Sequence, residues 1–102
     1  MANVLTVVAK LRAAKGKGDA LAALLVEQAA AVRAAEPGCL VYRPHRSTKD
    51  PDVFLFYECY ADDAAFEVHR KGAHLVSFRE RREKEGLLEG PVEIEILRSL
   101  TD

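Results

Sequence analysis

The stretch Phe54 to Tyr60 (FLFYECY) constrains what this chain can fold into more tightly than any other part of it. In an extended strand successive side chains point to opposite faces, so Phe54, Phe56, Glu58 and Tyr60 share one face and Leu55, Tyr57 and Cys59 the other. Both faces are largely apolar, and a strand of that kind needs cover on both sides. Its single carboxylate, Glu58, must therefore be paired, hydrogen-bonded or chemically employed. The chain then runs directly into an acidic helix start and a helical segment carrying two histidines, His69 and His74.

A chain of 102 residues is the length of one core, so a single domain over residues 1–102 is expected. Hydrophobic residues make up 49% and charged residues 30%, in the range of soluble globular proteins. The net charge of −1 offers neither a footprint for nucleic acid nor attraction to an anionic membrane. No run approaches the roughly 18 apolar residues of a spanning helix, and the N-terminal residues lack the layout of a signal peptide. A cytoplasmic location is expected on those grounds. Cys39 and Cys59 are too few for a disulfide framework and lack metal-ligand spacing. Both lie in apolar strands, where a free cysteine acts as a small hydrophobe, with a redox role as the alternative.

Along the chain, Val4 to Leu11 reads as a strand and the glycine-containing run Ala13 to Gly18 as a break. Asp19 is the expected N-cap of a helix to about Glu36, with Leu21, Leu24, Leu25 and Val32 on one face. Pro37-Gly38 stops it. A strand at Cys39 to Arg46, a polar turn at Ser47 to Asp52 and the aromatic strand form a hairpin. Asp62 is the expected cap of a helix from about Asp63, broken near Gly72 and continuing from about Ala73 to Glu85. Its final charge run, Arg79 to Glu85, reads as a solvated helix face. Val92 to Leu100 is the last strand, with Val92, Ile94 and Ile96 on one side and Glu93, Glu95 and Leu97 on the other.

The order β-α-β-β-α-β is the split βαβ arrangement of ferredoxin-like α+β folds, a four-stranded antiparallel sheet with helices on one face. Val41, Leu55, Tyr57 and Cys59 would leave the other face too apolar to stand alone in water. A homodimer through that helix-free face, a dimeric α+β barrel, is the expected cover.

The run PGCLVYRPHRS (37–47) followed by FLFYECYADDAAFEVHRKGAH (54–74) resembles the antibiotic biosynthesis monooxygenase family of small dimeric α+β barrel proteins. The matching positions are Gly38, Cys39 and Tyr42, then Glu58 and Tyr60, an acidic cap at Asp62 or Asp63, Ala65, and His69 with His74. Through the resemblance His69 is the pocket histidine. Members include quinol and anthrone oxygenases that work without metal or prosthetic group, haem-degrading enzymes and sugar-phosphate isomerases. The haem-degrading relatives use a tryptophan and this chain has none; Tyr60 stands where the family strand end usually carries Trp.

A symmetric hairpin pairs residues whose numbers sum to about 100, so Tyr42 faces Glu58 and Leu40 faces Tyr60, barring a bulge. Leu40, Tyr42, Phe54, Phe56, Glu58 and Tyr60 then form an aromatic wall with a few polar tips, resembling a ligand-binding wall. Val41, Arg43, His45, Leu55, Tyr57 and Cys59 take the opposite face, and Arg43 there argues against a phosphorylated ligand. His69 can share the inward helix face with Phe66. Each candidate has a structural alternative: His69 as a core histidine, His74 as the start of the second helical segment, His45 as a sheet-face residue, and Glu58 hydrogen-bonded to Tyr42. Two histidines five apart on a broken helix fit no zinc spacing, and no third ligand is near, so no metal is expected. No glycine-rich phosphate loop is present, and no cofactor is expected.

Cofactor-free oxygenation requires that an electron-rich phenol or quinol be deprotonated, that its anion pass an electron to dioxygen, and that the radical pair be held away from water. His69 as base and Glu58 as orienting or proton-accepting carboxylate are the catalytic candidates, with Tyr42, Phe54, Phe56, Tyr60, Phe66 and His74 binding the substrate. An isomerase or other acid–base enzyme on a small polar metabolite is the second reading, and a non-catalytic small-molecule binding module the third.

Overall fold

A computed structural model describes residues 3–101 of the chain. Strand β1 (Leu5–Arg12) leads to helix α1 (Gly18–Ala35), the hairpin β2 (Cys39–Arg46) and β3 (Val53–Tyr60), helices α2 (Asp63–Lys71) and α3 (Ala73–Lys84), and strand β4 (Glu93–Arg98). The four strands form one antiparallel sheet in the order β2-β3-β1-β4. This is the ferredoxin-like α+β fold, and its sequence of elements is the expected one.

The alternation read along β3 sorts its faces. Phe54, Phe56, Glu58 and Tyr60 are buried beneath the helices, joined from β1 by Leu5, Val7, Ala9 and Leu11. Helix α1 lays Leu21, Leu24, Leu25 and Val32 onto that surface, and all four are buried. Phe78 of α3 closes the core edge-on against Phe56, with ring centroids 6.5 Å apart. Strand β4 escapes this cover. Ile94 and Ile96 lie on the helix side of the sheet but remain more than half exposed, because α2 and α3 pack over β3 and α1 instead.

Three local expectations are corrected. Helix α1 begins at Gly18 with Lys17 as its N-cap, and Asp19 does not cap it. The Asp19 carboxylate accepts instead from Arg46 Nη1 at 2.9 Å. Gly18 is packed so tightly that a Cβ would fall 2.7 Å from Arg46 Nη2 and 2.9 Å from Asp52 Oδ1. In the hairpin, Tyr42 faces Glu58 as expected, but the register shifts between Cys39 and Val41 so that Cys39, not Leu40, faces Tyr60. Leu40 occupies the bulge and is exposed, outside the aromatic wall. Glu58 takes its hydrogen bond from Tyr60 rather than from Tyr42.

The Asp62 expectation holds: its carboxylate accepts from the Ala65 backbone N–H at 2.9 Å and caps α2. Gly72 divides α2 from α3 in an extended conformation, its N–H donating to the His69 carbonyl.

Candidate active site

The end of α1 holds the residue on which the site depends. Glu36 follows the last helical residue, its own N–H donating to the Val32 carbonyl and its carbonyl accepting from Cys39 N–H in the Pro37-Gly38 turn. That turn sends the Glu36 side chain inward, where it is buried. Gly38 then passes directly beneath α2, and a Cβ there would lie 2.7 Å from the Ala65 Cβ. Only the absence of a side chain at position 38 lets the chain and the helix approach so closely.

Helix α2 presents Phe66 and His69 three residues apart on its inner side. His69 is buried, and its Nδ1 lies 3.0 Å and 3.2 Å from the two oxygens of Glu36. An ionised carboxylate only accepts, so the geometry assigns the proton to Nδ1 and leaves the Nε2 lone pair free. The imidazole sits between the rings of Tyr42 and Tyr60, with centroids at 5.2 Å and 5.3 Å. Its Nε2 faces Glu58 Oε1 at 4.0 Å, beyond hydrogen-bond range. That same oxygen accepts a 2.6 Å hydrogen bond from the Tyr60 hydroxyl.

Burial governs the protonation of this group. It pushes the Glu58 carboxyl up to about 7, against the opposing hydrogen bond from Tyr60 and with added repulsion from Glu36. Burial also holds His69 below the ordinary imidazole value, outweighing the pull of Glu36, and the positive charge of Arg79 acts in the same direction. Near neutral pH the site thus holds an imidazole with a free lone pair opposite a carboxyl that can carry a proton. Desolvation likewise raises the phenols of Tyr42 and Tyr60, which stay protonated.

Above this pair opens a cleft of about 190 Å³ lined by Val7, Ala9, Phe66, Leu75, Ile94 and Ile96, with His69 and Glu58 in its wall and Arg70 and Arg79 also on its lining. The exposed isoleucines of β4 form its apolar side.

The expected site residues divide accordingly. His69, Glu58, Tyr60 and Phe66 are brought together, with the Tyr60 and Phe66 rings 5.1 Å apart. Tyr42 stands behind His69, packed 4.5 Å from Phe56, and both are buried in the core rather than on the cleft wall. Phe54 lies at the far end of β3 under the Arg46 guanidinium, 5.1 Å from its ring, and lines a separate hollow beside α1. The Gly72 break turns His74 away from His69; it is exposed and lines a small hollow between α1 and α3 with Gln28 and Ser77. The sequence reading missed Glu36 and Arg79. Glu36 carried a signal: a carboxylate at a helix C-terminus opposes the macrodipole, and such a local conflict often marks a functional residue. Cys39 and Cys59 are free thiols, and burial pushes the Cys39 thiol up to about 12. Among the described residues no cluster of three metal-ligating side chains occurs.

The profile of the antibiotic biosynthesis monooxygenase family matches residues 4–81, and the chain belongs to that family. The chain is similar to PA3566 from Pseudomonas aeruginosa, at 38% identity over 99% of this chain and 98% of that one, with a TM-score of 0.84. It is similar also to a Caulobacter crescentus protein named for the same family (30% identity, 97% and 92% covered, TM-score 0.84). A third similar structure is Rv0793 from Mycobacterium tuberculosis (27% identity, 97% of each chain covered, TM-score 0.85). No curated protein matches the sequence.

Proposed function

We propose that the chain is a monooxygenase of small phenols or quinols that uses the substrate's own electrons to reduce dioxygen. The observation that carries this reading is the buried Glu36–His69 pair with its free Nε2 facing a Glu58 carboxyl of raised pKa across an apolar cleft. A ring entering the cleft lies against Phe66, Leu75 and the β4 isoleucines and presents a hydroxyl to His69 Nε2. His69 takes that proton, and Glu36 stabilises the imidazolium as it forms. The ring anion passes one electron to dioxygen, and the two radicals combine into a ring peroxide. The imidazolium returns its proton to the peroxide, and neutral His69 then takes the proton from the ring carbon that bears it. The C–H electron pair forms the carbonyl as the O–O bond breaks, and the departing hydroxide leaves as water with the proton of Glu58, which the imidazolium then restores. For a hydroquinone the balance is quinol plus dioxygen to hydroxyquinone plus water.

The test is oxygen uptake by the purified protein, without added metal or flavin, over a panel of quinols and phenols. Uptake coupled to hydroxyquinone formation is expected, and His69→Ala should lower it by roughly 10²–10⁴-fold. Proton exchange at a carbon beside a carbonyl, without oxygen uptake, would refute it and favour the acid–base isomerase reading, which the same His69 and Glu58 would serve.

We propose further that the chain works as a homodimer through the helix-free face of the sheet. That face carries Val8, Leu55 and Tyr57, with Lys10 paired in register to Glu93 at its rim. Tyr57 and Leu97 are large apolar side chains left over 40% exposed there.

A further inference from the structure

Three features of the cleft, taken together, define what it can hold. Its volume of about 190 Å³ lies below the roughly 300–1,000 Å³ of sites for larger ligands, and suits one ring with a small substituent. Its charge is also polarised. Glu58 and His69 stand in the buried wall, with Glu36 behind His69 on its Nδ1, whereas Arg70 and Arg79 line the cleft from exposed helix positions.

The cations are not equivalent. Arg70 is bound to Glu67 on its own helix at 2.8 Å, and the nearby Arg81 of α3 to Glu27 at 2.8 Å. Arg79 has no carboxylate partner among the described residues. It follows Leu75 by one helical turn, so the two line the cleft from the same face of α3. Its charge is felt at the imidazole, where it helps to hold His69 neutral.

Resting on the reading of this cleft as a ring-binding site, we propose that its substrate is a single-ring phenol or quinol bearing an acidic group, with Arg79 binding the anion at the mouth. The polarity of the cleft sets the orientation. The anion meets the guanidinium, which can grip a carboxylate through two parallel hydrogen bonds, and the hydroxyl at the other end of the ring reaches His69 Nε2. The reverse placement takes the anion away from the guanidinium and into the buried wall, toward Glu58, which repels it when ionised, and the Glu36 carboxylate behind His69. Arg79 thereby selects both the substrate and the hydroxyl that is deprotonated.

The experiment compares 2,5-dihydroxybenzoate with its neutral isostere 2,5-dihydroxybenzamide, by calorimetric titration and by chemical-shift changes at Phe66 and His69. The acid should bind at least about 10-fold more tightly, and the preference should shrink as salt is raised. Arg79→Gln should bring the acid to the level of the amide, and Arg79→Lys should keep part of the preference. Arg79 is exposed and has no carboxylate partner among the described residues, so circular dichroism should be unchanged in both variants. Equal binding of acid and amide by the unaltered protein, or an undiminished preference in Arg79→Gln, overturns anion recognition and leaves the ring-binding reading in place. Failure of both compounds to bind or to shift Phe66 and His69 overturns the ring-binding reading, and this proposal with it.

Discussion

Replacing Glu58 by glutamine should make the fold more stable at neutral and alkaline pH, because the native carboxylate is buried at a cost. Burial raises its pKa from the ordinary 4.5 to about 7, so the folded chain prefers the protonated form. For a group whose folded pKa is raised, the associated stability is fully present below 4.5 and is lost as pH rises, until the loss is complete above about 7. At about 1.4 kcal/mol per pH unit, the loss across that window is about 3 kcal/mol, a large share of what a domain of this size commands. A glutamine at this position cannot ionise, and its carbonyl can still accept from the Tyr60 hydroxyl that now bonds Glu58 Oε1 at 2.6 Å. The assay is urea denaturation of both proteins between pH 4.5 and 8.5. The stability difference should be near its minimum at pH 4.5, widen with a slope approaching 1.4 kcal/mol per unit, and level off above pH 7. His69, whose folded pKa is lowered, contributes stability that is present above about 6.5 and lost as pH falls below it. That term is common to both proteins and largely drops out of their difference. Parallel stability curves across the whole range would refute the account of Glu58 as a carboxylate whose ionisation the fold penalises.

Other consequences are as direct. If neutral His69 is the base, the acid limb of the rate profile should have its midpoint below pH 6.5, the value expected of an exposed imidazole; a midpoint above it would sink this assignment. Glu36→Gln should lower turnover by roughly 10²-fold or more, by analogy with carboxylates that fix a catalytic histidine's tautomer, and should move the His69 ring-nitrogen resonances; unchanged resonances would show that the carboxylate does not orient the ring. Gly38→Ala should destabilise the chain by about 1–3 kcal/mol through its clash with Ala65, and Ala65→Gly should recover much of that in the double variant. Tyr57→Arg should yield a folded monomer in sedimentation experiments if the open sheet face is the dimer interface; a monomeric unaltered protein at micromolar concentration would refute the dimer.

What the sequence made legible follows from how local each feature is. The two-residue alternation of β3, the leucine face of α1, the Asp62 cap and the Gly72 break are decided within a few residues, and each stands as expected. The hairpin register was readable near its turn and failed at Leu40, where a bulge inserts a residue that no local pattern announces. His69 and Glu58 were legible because a histidine beside an aromatic helix position and a carboxylate in an apolar strand each conflict with their surroundings. Their partners were not. Glu36 is 33 residues from His69, and the contact exists only once α1 and α2 are docked. Arg79 was hidden by its membership of the charge run RERREKE, where sign alternation suggests nothing but solvent. Phe54 and Phe56 share a face with Glu58, but the cleft opens at one end of β3 only, and no sequence pattern says which.

The same geometry explains why glycine and alanine, which carry no chemistry, stand among the positions that resemble the family pattern. The Glu36 carboxylate can reach His69 only if the end of α1 and the body of α2 lie within a side chain of each other. Gly38 and Ala65 are the two residues at that crossing, with no room for another methyl between them. Asp62 fixes where α2 starts through its bond to the Ala65 N–H, so the residue that caps the helix also sets the height at which Ala65 meets Gly38. One turn further along α2, His69 then arrives level with Glu36, and Gly72 ends the helix immediately beyond it, in a space where a Cβ would press on the Val68 and His69 carbonyls at 3.2 Å and 3.3 Å. The small residues set the distances at which the ionisable ones act. A substitution at Gly38 should therefore impair proton transfer at His69 even where the chain still folds, and restoring the crossing with Ala65→Gly should return activity together with stability. Recovery of stability alone would separate the two and break this link.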